Sequence, residues 1–144
     1  LSTGTGLAPF MSIVRDPETY EKFDKIVLTH TVRHQKELAY HDMLENLNND
    51  ETYSEVTKGK FIYFNTVTRD EWPRKGRITK WIKENKLWNE IGVDIFDPKQ
   101  DRAMICGSED MTNELKNMFE KLGSEEGSTK VQGGFVIEKA FAEK

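Results

Sequence analysis

Residues 1–11 read L-S-T-G-T-G-L-A-P-F-M, with Gly4 and Gly6 two apart just before a helix start. A backbone bare of side chains can approach a diphosphate closely, and the first turn of the next helix offers N–H groups without an internal acceptor. Pro9 suits that first turn, where its missing N–H costs nothing. A lone G-x-G also describes an ordinary turn, so the other candidate anion groups matter. T-H-T-V-R ends one strand-like run on Thr31 and Arg33. T-V-T-R-D ends another on Thr68 and Arg69, and Arg77 follows at a helix start. C-G-S places Cys106, Gly107 and Ser108 at a helix N-terminus, and the last run delivers Ala140 and Phe141. The planar fork of arginine meets phosphate oxygens in pairs. Three arginines together with a glycine loop point to an anion with more phosphate than NAD has. The ribose-binding acid that is common in NAD sites is not found at the end of T-H-T-V-R. Nothing near Cys106 suggests a base that would make it a thiolate, so its role is packing and orientation.

These residues need elements to position them. Residues 25–32, with Ile26, Val27 and Leu28 in a row, and residues 60–68, with Phe61, Ile62, Tyr63 and Phe64, read as strands buried on both faces. Residues 102–106 and 135–141 supply two more. Helices are expected over residues 7–14, 17–23, 37–48 and 77–91, and from a Ser108 cap to residue 122. Strands alternating with helices predict an α/β, doubly wound, mostly parallel sheet, which binds ligands beyond the carboxyl ends of its strands. A dinucleotide loop normally follows a buried strand, yet only residues 1–3 precede this one. The first strand is therefore expected to be truncated and the chain to be a piece of a longer protein.

Composition narrows the class. The 144 residues suit one domain, and a net charge of −4 argues against a nucleic-acid partner. One cysteine excludes an internal disulfide and a cysteine-based metal cluster. His30, His34 and His41 lack a ligand spacing, so no metal is expected. No apolar run approaches the roughly 20 residues that span a bilayer, which leaves a cytoplasmic protein as the expectation.

The motifs S-T-G-T-G-L-A-P-F, T-H-T-V-R with E-L-A-Y, V-T-R with G-R-I-T, M-I-C-G-S-x-x-M and F-V-I-E-K-A-F fall in this order across nearly the whole chain. In this the sequence resembles the C-terminal, NADP-binding half of bacterial ferredoxin–NADP reductases, the flavodoxin-reducing kind. The resemblance implies that residues 1–144 are an NADP-binding domain, with an FAD-binding β-barrel ahead of residue 1. It implies that Gly4, Thr5 and Gly6 line the diphosphate, that Arg33 lies near the phosphates, and that Thr68, Arg69 and Arg77 hold the 2′-phosphate. Cys106 and Gly107 would sit beside the nicotinamide, and Phe141 would stack on the flavin, making Cys106 and Phe141 the catalytic pair. Thr3, Ser108, Met111 and Ala140 complete the implied cofactor-binding set. The implied cofactors are NADP(H) and FAD, and the implied partner is ferredoxin or flavodoxin, met by a monomer. One departure is Glu109, where the family usually has proline after C-G-S. An NAD(P)H-dependent flavin reductase of an oxygenase, or a non-catalytic nucleotide-binding module, stands as the alternative. Without the barrel, the chain is expected to transfer no electrons and to be poorly stable.

Overall fold

A computed structural model describes residues 1–128 and 132–138. Its strands all run parallel: β1 (Ser2–Thr3), β2 (Ile26–Val32) and β3 (Phe61–Val67) in one sheet, β4 (Ala103–Ile105) and β5 (Phe135–Ile137) in another. A bridge between Ser2 and Cys106 joins the two. There Cys106 N–H donates to the Leu1 carbonyl at 3.0 Å, and Thr3 N–H donates to the Cys106 carbonyl at 3.2 Å. The strand order is thus β5-β4-β1-β2-β3, with the two-residue β1 in the middle. It lies against the carboxyl end of β2 only, Ser2 opposite His30 and Thr3 opposite Thr31.

Parallel strands need crossover connections, and helices supply most of them. On one face α1 (Ala8–Val14) and α2 (Pro17–Lys22) bring Phe10, Met11, Val14 and Tyr20 onto Leu28, Phe61 and Cys106. On the other, α5 (Ile78–Lys83), α6 (Lys86–Ile91) and α7 (Glu109–Lys121) pack Ile82, Leu87, Leu115 and Phe119 against Phe64, Ile105 and Phe135. Alternation along β3 sends Phe61 and Phe64 to opposite cores. The fold is the expected doubly wound α/β sheet with a short first strand.

Two helices differ from expectation. Residues 37–48 are not one helix but a 3₁₀ turn Gln35–Glu37, a short α3 (His41–Glu45) and a second 3₁₀ turn Leu47–Asn49; α4 (Ser54–Thr57) follows. Leu38 is drawn into a cluster with Val32 and Val67 at the end of the sheet. Tyr40 then takes φ 57, a left-handed conformation in which a helix cannot continue. Asn46 ends α3, its amide donating to the Asp42 carbonyl at 2.9 Å. The helical spacing of Tyr40, Met43, Leu44 and Leu47, which suggests one apolar stripe, is thus only half realised: Leu44 and Leu47 are buried, while Tyr40 is 55% exposed and Met43 39%. Residues 77–91 break likewise at Asn85, φ 59, into α5 and α6. Asparagine tolerates that conformation better than most residues. The final strand is described as Phe135–Ile137, and Ala140 and Phe141 lie outside the described residues.

Candidate functional site

Polar side chains collect at the carboxyl ends of β1, β2 and β3. Ser2, Thr29, His30, Thr31, Asn65 and Thr66 are all buried there. Burying such groups is costly unless they are hydrogen-bonded, and most are. Ser2 Oγ donates to the Thr29 carbonyl at 2.8 Å, the Thr31 and Thr66 hydroxyls pair at 2.7 Å, and Trp72 Nε1 donates to Asn65 Oδ1 at 2.6 Å. Above this polar layer lie two groups of residues singled out by the sequence.

The first is the glycine turn. Residues Gly4–Leu7 form a 3₁₀ turn that runs into α1. Gly4 has φ +51, and a Cβ built there would meet nothing within 4 Å, so open space lies in front of it. Gly6 is the opposite case. Its Cβ would meet the Cys106 carbonyl carbon at 2.7 Å and Gly107 Cα at 2.9 Å. Gly107 in turn is close-packed on Thr3 N and on Met111 Cε. Thr3 Oγ1 accepts the Ser108 N–H at 2.9 Å, and Ser108 Oγ caps α7 by accepting from Met111 N–H at 3.3 Å. Main-chain packing thus brings Thr3, Gly4, Thr5, Gly6, Cys106, Gly107 and Ser108 to one stretch of the sheet edge. Cys106 and Met111 are buried beneath it. Glu109 and Asp110 occupy the first turn of α7, where carboxylates suit the helix dipole.

The second group is arginine-rich. The ladder between β2 and β3 continues past both strands: Thr68 N–H donates to the Val32 carbonyl at 3.0 Å, and Arg69 N–H to the Arg33 carbonyl at 2.9 Å. Arg33 and Arg69 are therefore neighbours. The following loop folds back on the same strand end. Val67 N–H donates to the Arg74 carbonyl, and Gly76 N–H donates to the Val67 carbonyl, both at 3.1 Å. Gly76, at φ +111, makes that return possible and sets Arg77 at the N-cap of α5. Arg33, Arg69 and Arg77 are exposed, and their side chains have no hydrogen bond or ion pair among the described residues.

Sequence reasoning missed three residues here. His34 Nδ1 lies 3.0 Å from Asp70 Oδ1, and Gln35 N–H donates to Asp70 Oδ2 at 2.8 Å. These two contacts, the histidine first, hold the Asp70 carboxyl below the usual carboxylate range. With Lys36 they line an open cavity of about 600 Å³ beside Arg33 and Arg69. Only the acid directly after Arg69 was visible in the sequence, and nothing tied it to a histidine 36 positions earlier. The third is His30. Its Nε2 is 2.8 Å from the Gly4 carbonyl, and the ring is fully buried. A carbonyl only accepts, so Nε2 carries the proton. Nδ1 is buried and has no partner among the described residues.

Burial pushes His30 below its ordinary value of 6.5, against the smaller opposite pull of the Gly4 carbonyl. The residues opposite it on both flanking strands, Ser2 and Asn65, carry no charge. The unfolded chain takes up a proton near pH 6.5 that the folded protein refuses. Stability from this group is therefore complete above 6.5 and is lost as pH falls through the lowered folded value. The slope within that window is at most about 1.4 kcal/mol per pH unit, the value for one full proton. Burial also lowers the Leu1 amino group from 8.0 to about 5, which adds a slope of the same sign. Urea unfolding at pH 7.5 and 5.5 therefore measures the His30 part as the difference between the wild type and His30→Gln, whose slope should be flatter. Asp70 does not confound the measurement, because its effect begins only as pH approaches its ordinary value of 3.8.

Comparison with known proteins gives a consistent picture. The family model described as "Oxidoreductase NAD-binding domain" matches residues 1–117. The chain is 45% identical to a ferredoxin–NADP reductase of Azotobacter vinelandii over 100% of its own length and 57% of that protein. It is 43% identical to ferredoxin–NADP reductase A of Sorangium cellulosum, over 99% of this chain and 51% of that one. Among solved structures it superposes on a ferredoxin NADP+ reductase from Neisseria gonorrhoeae with bound FAD and NADP at a TM-score of 0.83. The identity there is 27%, covering 97% of this chain and 54% of the other. The chain spans about half the length of the curated relatives it matches. A family model covering most of the chain, and a sheet edge built as described, lead to one statement: the chain belongs to the oxidoreductase NAD-binding domain family.

Proposed function

We propose that this chain is the NADP-binding domain of a ferredoxin– or flavodoxin–NADP reductase, and that the whole protein exchanges electrons between NADP(H) and a one-electron carrier through FAD. The observation that carries the NADP reading is the arginine group. Arg33 and Arg69 are held side by side by the strand ladder, Arg77 is set nearby by the Gly76 turn, and none of the three is spent on an internal partner among the described residues. Such unengaged guanidinium groups fit a phosphate that NAD lacks. The open space before Gly4 fits a diphosphate.

NADP(H) and FAD, when bound, supply the hydride chemistry. The chain's own part is placement. Thr3, Gly4, Thr5 and Gly6 receive the diphosphate, with Arg33 near it, while Thr68, Arg69 and Arg77 take the 2′-phosphate. Cys106 and Gly107 form the floor for the nicotinamide, with Ser108 and Met111 fixing the start of α7 behind them. Ala140 and Phe141 are assigned to the flavin side from the family resemblance. FAD is assigned to a domain outside residues 1–144. The partner is a ferredoxin or flavodoxin, the protein a cytoplasmic monomer. The names of the relatives support this reading. Among the described residues no helix is long and apolar enough to cross a membrane.

The deciding experiment is a steady-state diaphorase assay of the full-length protein with a dye acceptor, comparing NADPH and NADH. A kcat/KM for NADPH exceeding that for NADH by about 10²-fold or more is expected from two charge-assisted contacts. Equal efficiency with both overturns the NADP reading.

A further inference from the structure

We propose that His30 is a positioning residue for the glycine turn, holding the Gly4 carbonyl down into the sheet so that the turn presents N–H groups to a dinucleotide diphosphate. The inference rests on the diphosphate reading of the turn given above.

Gly4 is the freest joint of the turn. It has left-handed φ, no side chain, and open space around it. Within the turn, the i→i+3 pattern of a 3₁₀ stretch gives this carbonyl only the Leu7 N–H, in the poorer geometry of such bonds. A carbonyl turned toward the ligand would set the negative end of its dipole against a diphosphate. The clamp comes from 26 residues away, from the carboxyl half of β2, where His30 Nε2 donates to the Gly4 carbonyl at 2.8 Å. A planar ring with two rotatable bonds, fixed in a parallel sheet between Ser2 and Asn65, is a rigid donor. Its other nitrogen has no partner among the described residues and is buried. A histidine kept only for packing would not require a polar ring there, and isosteric apolar side chains would fill the same space without an orphaned acceptor. The orphan is tolerated because Nε2 does the holding. In the proposed reading Arg69 and Arg77, past β3 and at the start of α5, distinguish one dinucleotide from another, whereas this contact serves the part that all dinucleotides share.

The test uses the full-length, FAD-loaded protein with His30→Leu, which removes the donor and keeps bulk, and His30→Gln, which restores an N–H donor. NADP+ binding is followed by difference absorbance of the flavin, steady-state kinetics are measured with both NADPH and NADH, and amide hydrogen exchange is read over residues 4–7. For His30→Leu, NADP+ should bind on the order of tenfold more weakly. KM should rise by a similar factor for both nucleotides with kcat within about twofold, and residues 4–7 should exchange faster. His30→Gln should recover most of the affinity. If His30→Leu binds NADP+ as the wild type does, or if glutamine rescues nothing while both variants bind weakly, the proposal is overturned. Should the leucine variant not retain FAD, the glutamine variant decides alone: wild-type-like affinity with slow exchange at residues 4–7 supports the clamp, and tenfold weaker binding overturns it. A wild-type protein that binds neither dinucleotide defeats the diphosphate reading instead, and is recognised before any variant is made.

Discussion

Gly6→Ala is expected to abolish measurable binding of both NADPH and NADH and to lower the unfolding midpoint by about 5–10 °C. The reason is where the new methyl group would go. It would lie 2.7 Å from the Cys106 carbonyl carbon and 2.9 Å from Gly107 Cα, atoms of a backbone held in the middle of the sheet. Cys106 bonds to Leu1 and Thr3 on the neighbouring strand, so it cannot withdraw without breaking the join between the two halves of the sheet. The turn must move instead, and the turn is the proposed binding surface. Overpacking of this kind costs about 1–3 kcal/mol. Gly4→Ala is the control. Its methyl group meets nothing, and only the left-handed backbone is penalised, by about 1–2 kcal/mol. Thermal unfolding and nucleotide titration of both variants in the full-length protein check the ranking. A Gly4 variant more damaged in stability than the Gly6 variant contradicts the packing argument.

The second large effect concerns selectivity. Arg69→Ala and Arg77→Ala should each raise KM for NADPH by about 10- to 100-fold, from the loss of one charge-assisted contact worth roughly 1.5–3 kcal/mol. KM for NADH should stay within about twofold. Neither side chain has an internal partner among the described residues, so folding should be untouched. Kinetic series with both nucleotides make the test. A parallel loss with NADPH and NADH would reassign the arginines to the shared diphosphate.

What could be read in the sequence was what depends on neighbours in the chain. Ile26, Val27 and Leu28, like Phe61 to Phe64, announce strands because an unbroken apolar run has few other homes. Of the apolar stripe Met111, Leu115, Met118, Phe119 and Leu122, the first, second and fourth are buried in α7 as the spacing required, Met118 is half-buried, and Leu122 at the helix end is 38% exposed. Reading failed where a contact distant in sequence overrode a local pattern. Tyr40 and Met43 keep helical spacing, but Leu38 is claimed by the end of the sheet and the helix is cut at Tyr40. Asn85 sits in what looks like one long helix, and nothing around it indicates that the second half must turn to bury Leu87. In the site, the glycine turn and the arginines were visible as residue types. Their supports were not. His30 under Gly4, Asp70 against His34 and Thr3 under Ser108 join positions 26, 36 and 105 apart.

The three unengaged arginines also bear on how such a protein diverges. Most substitutions in a marginally stable domain are filtered first by their effect on folding. Arg33, Arg69 and Arg77 project from backbone positions fixed by main-chain bonds, and changing their side chains orphans nothing within the described residues. Mutations there escape that filter. With Arg69 and Arg77 on the 2′-phosphate as proposed, lineages can drift between one dinucleotide and the other without passing through a poorly folded ancestor, while the turn beneath, packed backbone to backbone, stays as it is. If the arginines carry coenzyme preference as proposed, it is an evolvable trait on an unevolvable mount.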